Sequence, residues 1–232
     1  MSFQSYCGTA FEPWLLPIIP ADAKLSEAST ISLDKLGKIP GLYKPGTGDW
    51  RGFADWTARP LPHNKARQIL AIWDNWYPKG HQTIGLKSRH FPGIDLDVNT
   101  AEQALIAKNL AFEIVGATVM RGRSDGSPRL LLPYRFSDGT QPITKMRQSY
   151  EDDSGEFAIE ILGRGRHYLI EGDHPKGGTY VWSSDADPTH YHSMMELPGF
   201  GAEQLPEITF EQCLQFLNEL KEQYEVSIRF QP

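Results

Sequence analysis

In the stretch Phe91-Pro-Gly-Ile-Asp-Leu-Asp-Val-Asn99, two carboxylates alternate with apolar residues. On an extended strand a period of two puts Ile94, Leu96 and Val98 on one face and Asp95 and Asp97 on the other. Like charges at that spacing repel unless a cation lies between them. Hard oxygen ligands suit Mg²⁺ or Mn²⁺, and two such ions can clamp the attacking and leaving oxygens of a phosphoryl transfer. A solvated acidic strand face explains the same two residues, so the rest of the chain has to separate the two readings. Phe157-Ala-Ile-Glu-Ile-Leu162 alternates in the same way and places Glu160 opposite the face of Phe157, Ile159 and Ile161. Asp95, Asp97 and Glu160 together are the minimum for a two-metal phosphoryl-transfer site.

A polyphosphate also needs cations. Between Val119 and Gln148 stand six basic residues (Arg121, Arg123, Arg129, Arg135, Lys145, Arg147) against two acidic ones, Asp125 and Asp138. In a chain with a formal charge of −6 this is a locally basic segment, placed shortly after the acidic strand. Arginines on the two arms of a hairpin can offer bidentate contacts to phosphate, although a solvated face explains them with no further assumption. The glycine-rich stretch Gly172-Asp-His-Pro-Lys-Gly-Gly178 adds His174 and Lys176 as candidates for a phosphate or sugar oxygen. Lys38 and Lys44, in an earlier loop, could meet phosphates, although exposed loop lysines are more often simply solvated.

The elements that would hold these residues read as follows. Phe11 to Pro20 carries three prolines and suits an extended entry strand. Gly37 to Asp55 is dense in turn formers and reads as an irregular segment. His63 to Trp76 has the spacing of an amphipathic helix ended by Pro78. Thr83 to Lys87 and Phe91 to Val98 read as strands, expected to pair as a hairpin. Thr100 with Gln103 makes a capping box that opens a helix reaching Gly116. Strands at Thr118 to Met120 and Leu130 to Tyr134 flank the turn Asp125-Gly126 and predict a second hairpin. A polar segment follows, with a Ser137-Asp-Gly139 turn and one strand around Ile143 to Arg147. Strands at Phe157 to Leu162, Arg166 to Glu171 and Tyr180 to Trp182 come next. The pattern from Ile208 to Tyr224 is a helix capped by Thr209.

With 232 residues, 40% hydrophobic and 22% charged, the chain fits a single globular domain. That domain is read as an N-terminal subregion (1–80), a catalytic core (81–200) and a C-terminal helix (205–226). The predicted class is mixed α/β (α+β), with a largely antiparallel sheet flanked by helices. No apolar run approaches the ~20 residues of a membrane span, and no leader pattern opens the chain. The expectation is an intracellular, cytoplasmic protein without membrane contact. Cys7 and Cys213 form no CxxC pair, so reduced thiols and no zinc are expected.

In order along the chain these blocks resemble the archaeo-eukaryotic primase superfamily, in particular the primase-polymerase N-terminal domains of phages and plasmids. The resemblance is carried by Gly37-Lys-Ile-Pro40, Trp50 to Trp56, Thr83-Ile-Gly-Leu86, Gly93-Ile-Asp-Leu-Asp-Val98, Val119-Met-Arg-Gly-Arg123, Pro128 to Arg135, Ile159-Glu-Ile-Leu-Gly163 and Gly172 to Trp182. It covers nearly the whole chain. It implies an RRM-like catalytic core and template-directed nucleotidyl transfer by a DNA primase/polymerase. Its implied partners are two Mg²⁺ or Mn²⁺ ions, a dNTP or NTP and a single-stranded DNA template. The implied metal ligands are Asp95, Asp97 and Glu160. The superfamily's second motif carries a histidine; the corresponding stretch here, Arg123 to Leu131, has none and offers Arg129. Nucleotide binding is therefore assigned across Arg121, Arg129, Arg135, His174 and Lys176, with Trp50, Trp56 and Tyr180 as stacking candidates for the template. Relatives of this type often precede a replicative helicase. The chain contains no GxxxxGK[ST] segment, which places any such helicase on another chain or elsewhere on a longer polypeptide. A two-metal nuclease and a nucleotide-binding or replication-initiator module with a remnant site are the alternatives.

Overall fold

The computed structural model describes residues 2–58, 60–137 and 143–229. The predicted Ser137 to Gly139 turn falls partly outside them. In chain order the strands are β1 (Leu15–Pro17), β2 (Gly41–Lys44), β3 (Asp49–Gly52), β4 (Ile84–Lys87), β5 (Gly93–Asp97), β6 (Met120–Arg123) and β7 (Leu130–Pro133). They continue with β8 (Arg135–Phe136), β9 (Met146–Asp152), β10 (Gly155–Leu162), β11 (His167–Glu171), β12 (Tyr180–Ser183) and β13 (Glu207–Ile208). The helices among the described residues are α1 (Ala66–Asp74), α2 (Ala101–Ile114) and α3 (Phe210–Arg229).

The main sheet has six strands in the order β12-β6-β7-β5-β10-β9, with every neighbouring pair antiparallel. A second, three-stranded antiparallel sheet has the order β1-β4-β11. The fold is mixed α+β with largely antiparallel sheets. Alternation on β5 decides how its layers stack. Ile94, Leu96 and Val98 are fully buried in one cluster with Ala104 and Leu110 of α2 and with Phe216 and Leu220 of α3. Burying each such side chain contributes about 1.5–3 kcal/mol. The other face of the sheet meets a separate cluster, in which Leu131 and Trp182 pack with Ile84, Leu86, Tyr168 and Ile170 of the smaller sheet. Asp95 and Asp97 lie on this second face, between the two sheets.

The hairpin expected between Thr83 to Lys87 and Phe91 to Val98 does not form: β4 pairs with β1 and β11, whereas β5 pairs with β7 and β10. The connecting residues bond away from each other instead. Ser88 N–H and Oγ–H donate to the carbonyls of Arg166 and Gly163, while the carbonyls of His90 and Pro92 accept from Phe136 and Tyr134. The short link thus carries the chain from one sheet to the other. The segment Gly37 to Asp55, read as irregular, contains the hairpin β2–β3. Its turn residues hid two strands too short for a periodic signal, held by Tyr43 opposite Trp50 with ring centroids 5.4 Å apart. Trp50 is 4% exposed, which removes it as a stacking surface for nucleic acid. The entry strand shrinks to β1, because Glu12–Trp14 forms a 3₁₀ turn around Pro13.

The strand expected around Ile143 to Arg147 instead runs from Met146 to Asp152 as β9, paired with β10, and the one expected from Thr118 begins at Met120 as β6. The caps and the second hairpin follow their sequence signals. Thr100 and Gln103 make the reciprocal cap of α2. Thr209 and Gln212 cap α3 in the same way. The β6–β7 hairpin forms around Asp125-Gly126. Among the described residues no helix is long and apolar enough to cross a membrane.

Two positions near the end of β11 carry predictions. Gly172 sits at φ +104°, and a Cβ there would lie 2.8 Å from Thr83 Cα and 2.9 Å from the Gln82 carbonyl oxygen. Backbone cannot yield as a flexible side chain can. Gly172→Ala is therefore expected to lose more than about 1 kcal/mol of stability, read as a fall in the urea midpoint at unchanged m-value.

The second position is Glu171, 1% exposed, whose Oε1 accepts from the Tyr6 hydroxyl and, at 2.6 Å, from Ser193 Oγ. Burial raises its carboxyl to about 7, and the two hydroxyl donors only partly oppose the shift. With the folded value above the unfolded one, the native state holds a proton that the unfolded chain has released. Stability contributed by this group is present at low pH and declines as pH rises from about 4.5 to about 7, by at most ~3 kcal/mol. Urea unfolding at pH 5 and pH 8 is expected to show a smaller difference for Glu171→Gln than for the wild type.

Candidate functional site

Antiparallel register lines up one residue from each strand of the main sheet on the face toward the smaller sheet. Across it run Trp182, Arg121, Leu131, Asp95, Glu160 and Arg147. Asp95 stands directly opposite Glu160, and Ala158 lies opposite Asp97. The alternation read from the sequence thus places all three carboxylates on one face, two of them as immediate cross-strand neighbours.

Above this row a pocket of about 290 Å³ opens between the two sheets. Its walls bring together Asp95, Asp97, Arg121, Arg123, Arg129 and His174, with Lys38, His167 and Tyr180 closing the sides. Arg121 and Arg123 come from β6, Arg129 from just before β7, and His174 from the glycine loop between β11 and β12. Arg135 and Lys176 are not among the lining residues. Arg135 donates to the Leu205 carbonyl at 2.9 Å and pairs with Glu207 at 2.7 Å, so its guanidinium ties β8 to the segment that leads into α3. Lys176 is exposed on the glycine loop.

The three lining arginines are held in different ways. Arg121, with 13% of its side chain exposed, donates to the Leu169 carbonyl at 2.6 Å, lies 3.8 Å from Asp95 and stacks over the Tyr180 ring at 4.6 Å. Arg123 donates to His174 Nδ1 at 2.8 Å and pairs with Asp125 at 3.2 Å. Each leaves its Nε–H without a partner, so donors exceed acceptors in this wall. Arg129 pairs with Asp97 at 2.5 Å and is 47% exposed, the most open of the three.

Protonation follows from these surroundings. Asp95 sits at the pocket floor with about a third of its side chain open to the mouth. Burial raises its carboxyl to about 6; Arg121 opposes the shift, and the like charges of Asp97 and Glu160 add to it. Burial and the Arg123 guanidinium lower His174 to about 4. Its ring is therefore neutral near pH 7. Arg123 donates to Nδ1 at 2.8 Å and lies farther from Nε2, at 3.3 Å, and the Lys176 backbone N–H also donates to Nδ1, which assigns the ring proton to Nε2. A neutral imidazole in that tautomer has no spare lone pair with which to act as a base.

Two carboxylates in the pocket and a third beside them are hard donors that fit a divalent cation of the Mg²⁺ or Mn²⁺ class. The raised Asp95 carboxyl reflects its burial first, with the like charges of Asp97 and Glu160 adding to it. Glu160, however, is engaged by Lys145 at 3.0 Å and Arg147 at 2.5 Å, and it does not line the pocket. Among the described residues no group of three His, Cys, Asp or Glu is arranged to hold a metal ion.

Lys38 and His167 belong to the pocket, although the sequence reading had set Lys38 aside and had passed over His167. Lys38 stands in Gly37-Lys-Ile-Pro40, a block that carried the family resemblance, and that was its available signal. His167 opens an apolar strand and no pattern marked it. Its Nε2–H donates to the Lys38 carbonyl at 2.8 Å, and its ring meets Trp56 edge to face at 4.7 Å. Compared with protein-family models and with curated proteins, the chain matches none.

Proposed function

We propose that this pocket binds a nucleoside triphosphate and that the chain is a metal-dependent primase-polymerase acting on a single-stranded DNA template. The observation that carries the reading is the meeting, in one cleft, of the Asp95 and Asp97 carboxylates with three guanidiniums, two of which, Arg121 and Arg123, keep an unpartnered Nε–H. Carboxylates call for a cation, guanidiniums call for phosphate, and a metal-bound triphosphate satisfies both. The RRM-like description of the core and the intracellular setting belong to the same proposal.

Asp95 and Asp97 would hold the divalent cation, and Glu160 would join them on giving up Lys145 and Arg147. Such an ion supplies Lewis acidity toward the phosphate and the attacking hydroxyl. The chain's own groups do the positioning. Arg121, fixed on the Leu169 carbonyl and the Tyr180 ring, keeps Asp95 in place and stays on the wall. Arg129 turns from Asp97 to a phosphate oxygen, a short swing for a half-exposed side chain. His174 offers its Nε2–H to a phosphate or sugar oxygen without changing protonation. Template stacking falls to Trp56, since Trp50 and Tyr180 are buried.

The nuclease reading weakens with His174, because hydrolysis needs a base to activate water and the neutral, Nδ1-engaged ring is not one. A nucleotide-binding module without catalysis is favoured by one observation, the capture of Glu160 by Lys145 and Arg147. Incorporation of labelled dNTP and NTP on primed and unprimed single-stranded DNA, with Mg²⁺ or Mn²⁺, separates the two. Extension supports the polymerase; saturable nucleotide binding with no extension under any of these conditions supports the module.

A further inference from the structure

A second pocket, also of about 290 Å³, lies across the glycine loop from the first, and Tyr180 is the lining residue common to both. Its lining includes Gln82, Glu171, Asp173, His192 and Glu196, and it contains neither lysine nor arginine. Two of these side chains are more than nine-tenths buried and carry an acceptor that nothing satisfies: Glu171 Oε2 and Gln82 Oε1. The other Glu171 oxygen already serves Tyr6 and Ser193. Glu196 Oε2 accepts from the His192 and Ser193 backbone N–H groups, and Asp173 faces His81 at 3.6 Å. A buried acceptor left unmatched costs about 1–3 kcal/mol, and two lining the same cavity ask for a ligand rich in donors.

Size and charge narrow the class. The Asp173 and Glu196 carboxylates, joined by Glu171 once pH passes its raised value of about 7, and the lack of lysine or arginine among the described lining residues call for positive charge. A bare metal ion is far smaller than this cavity, in which a single water would claim only about 30 Å³, and the described residues provide no three-ligand metal group. We propose that this pocket is a binding site for a small organic ammonium, with one N–H donated to Glu171 Oε2 and another to Gln82 Oε1. The site stands apart from the triphosphate pocket and does not depend on the polymerase reading.

Calorimetric titration of the full chain with butane-1,4-diamine at about pH 8, where Glu171 is ionised, and in about 0.15 M NaCl, where diffuse attraction to an acidic protein is screened, tests this directly. Saturable one-site binding is expected, with no binding of butane-1,4-diol and no competition from Mg²⁺ alone. Glu171→Gln puts an amide N–H₂ where the ammonium would donate and is expected to weaken binding at least tenfold. Gln82→Leu keeps the volume, removes the second acceptor and is expected to weaken it severalfold; it decides the matter should the Glu171 variant fail to fold. Absence of saturable binding by the wild type, unchanged affinity in Gln82→Leu, or displacement of the diamine by Mg²⁺ would each overturn the assignment.

Discussion

Replacing Asp95 or Asp97 by alanine is expected, on the proposed function, to abolish nucleotide incorporation, by about three orders of magnitude or more, and to leave the chain folded. The size follows from the role. A carboxylate that fixes a catalytic cation contributes through charge at the reacting phosphate, and the loss of ~4 kcal/mol of transition-state stabilisation is about a thousandfold in rate. Folding survives because neither side chain belongs to a core: both lie on the pocket face of β5, 35% and 45% exposed, while the strand is held by Ile94, Leu96 and Val98 on its other face. Removing Asp95 relieves the burial of its carboxylate, the first cause of its raised value, and its repulsion toward Asp97 and Glu160, against the lost attraction to Arg121, so its melting temperature is expected to hold or rise. Asn at either position keeps the shape and removes the charge, and is expected to lose activity equally. Incorporation measured beside thermal unfolding checks both halves of the statement, and a folded Asp97→Asn that keeps a tenth of the wild-type rate would sink the assignment.

What the sequence disclosed, and what it concealed, follows from the range over which each signal acts. Period-two alternation is local, so it put Asp95, Asp97 and Glu160 on the correct face of their strands before any partner was known. Capping is equally local, and Thr100 with Gln103 marked the start of α2. Strand pairing is not local. Both β4 and β5 are apolar enough to be neighbours, and only the hydrogen bonds of Ser88, His90 and Pro92 to distant segments send them to different sheets. The pocket exists because of that separation, since its two walls are the two sheets.

Residue type was a poor guide for the same reason. Arg129 and Arg135 stand six positions apart in one basic run. The first faces Asp97 across the site, whereas the second is spent on Leu205 and Glu207. Only the partners differ, and they come from other parts of the chain. Lys38 was hidden similarly, reaching the pocket from the N-terminal region because Gly37 packs so closely on the glycine loop that an added Cβ would lie 3.0 Å from the Pro175 ring.

Arg129→Ala is expected to move two affinities in opposite directions. Its guanidinium sits on Asp97 at 2.5 Å with both side chains nearly half exposed, so a divalent cation must displace it to gain that carboxylate. An ion pair this exposed is worth about 0.2–1 kcal/mol. Its removal should tighten Mn²⁺ binding about two- to fivefold, read by the loss of the free-ion paramagnetic resonance signal in a titration without nucleotide. The same guanidinium, once released, is the lining arginine best able to reach a phosphate. A charge-assisted hydrogen bond contributes about 1.5–3 kcal/mol, so the KM for nucleotide should rise about ten- to a hundredfold while the KM for template stays within a factor of two. Arg135→Ala is the internal control. Its contacts are structural, and it should lower stability without changing either affinity. Arg121→Ala behaves differently again: it frees Asp95 to move and leaves the Leu169 carbonyl unpaired, so kcat and stability fall together. A coupled gain in metal affinity and loss in nucleotide affinity therefore belongs to a residue that exchanges Asp97 for phosphate. Were Mn²⁺ affinity to fall in Arg129→Ala, the guanidinium would be supporting the cation site instead of competing with it, and the exchange at Asp97 would have to be abandoned.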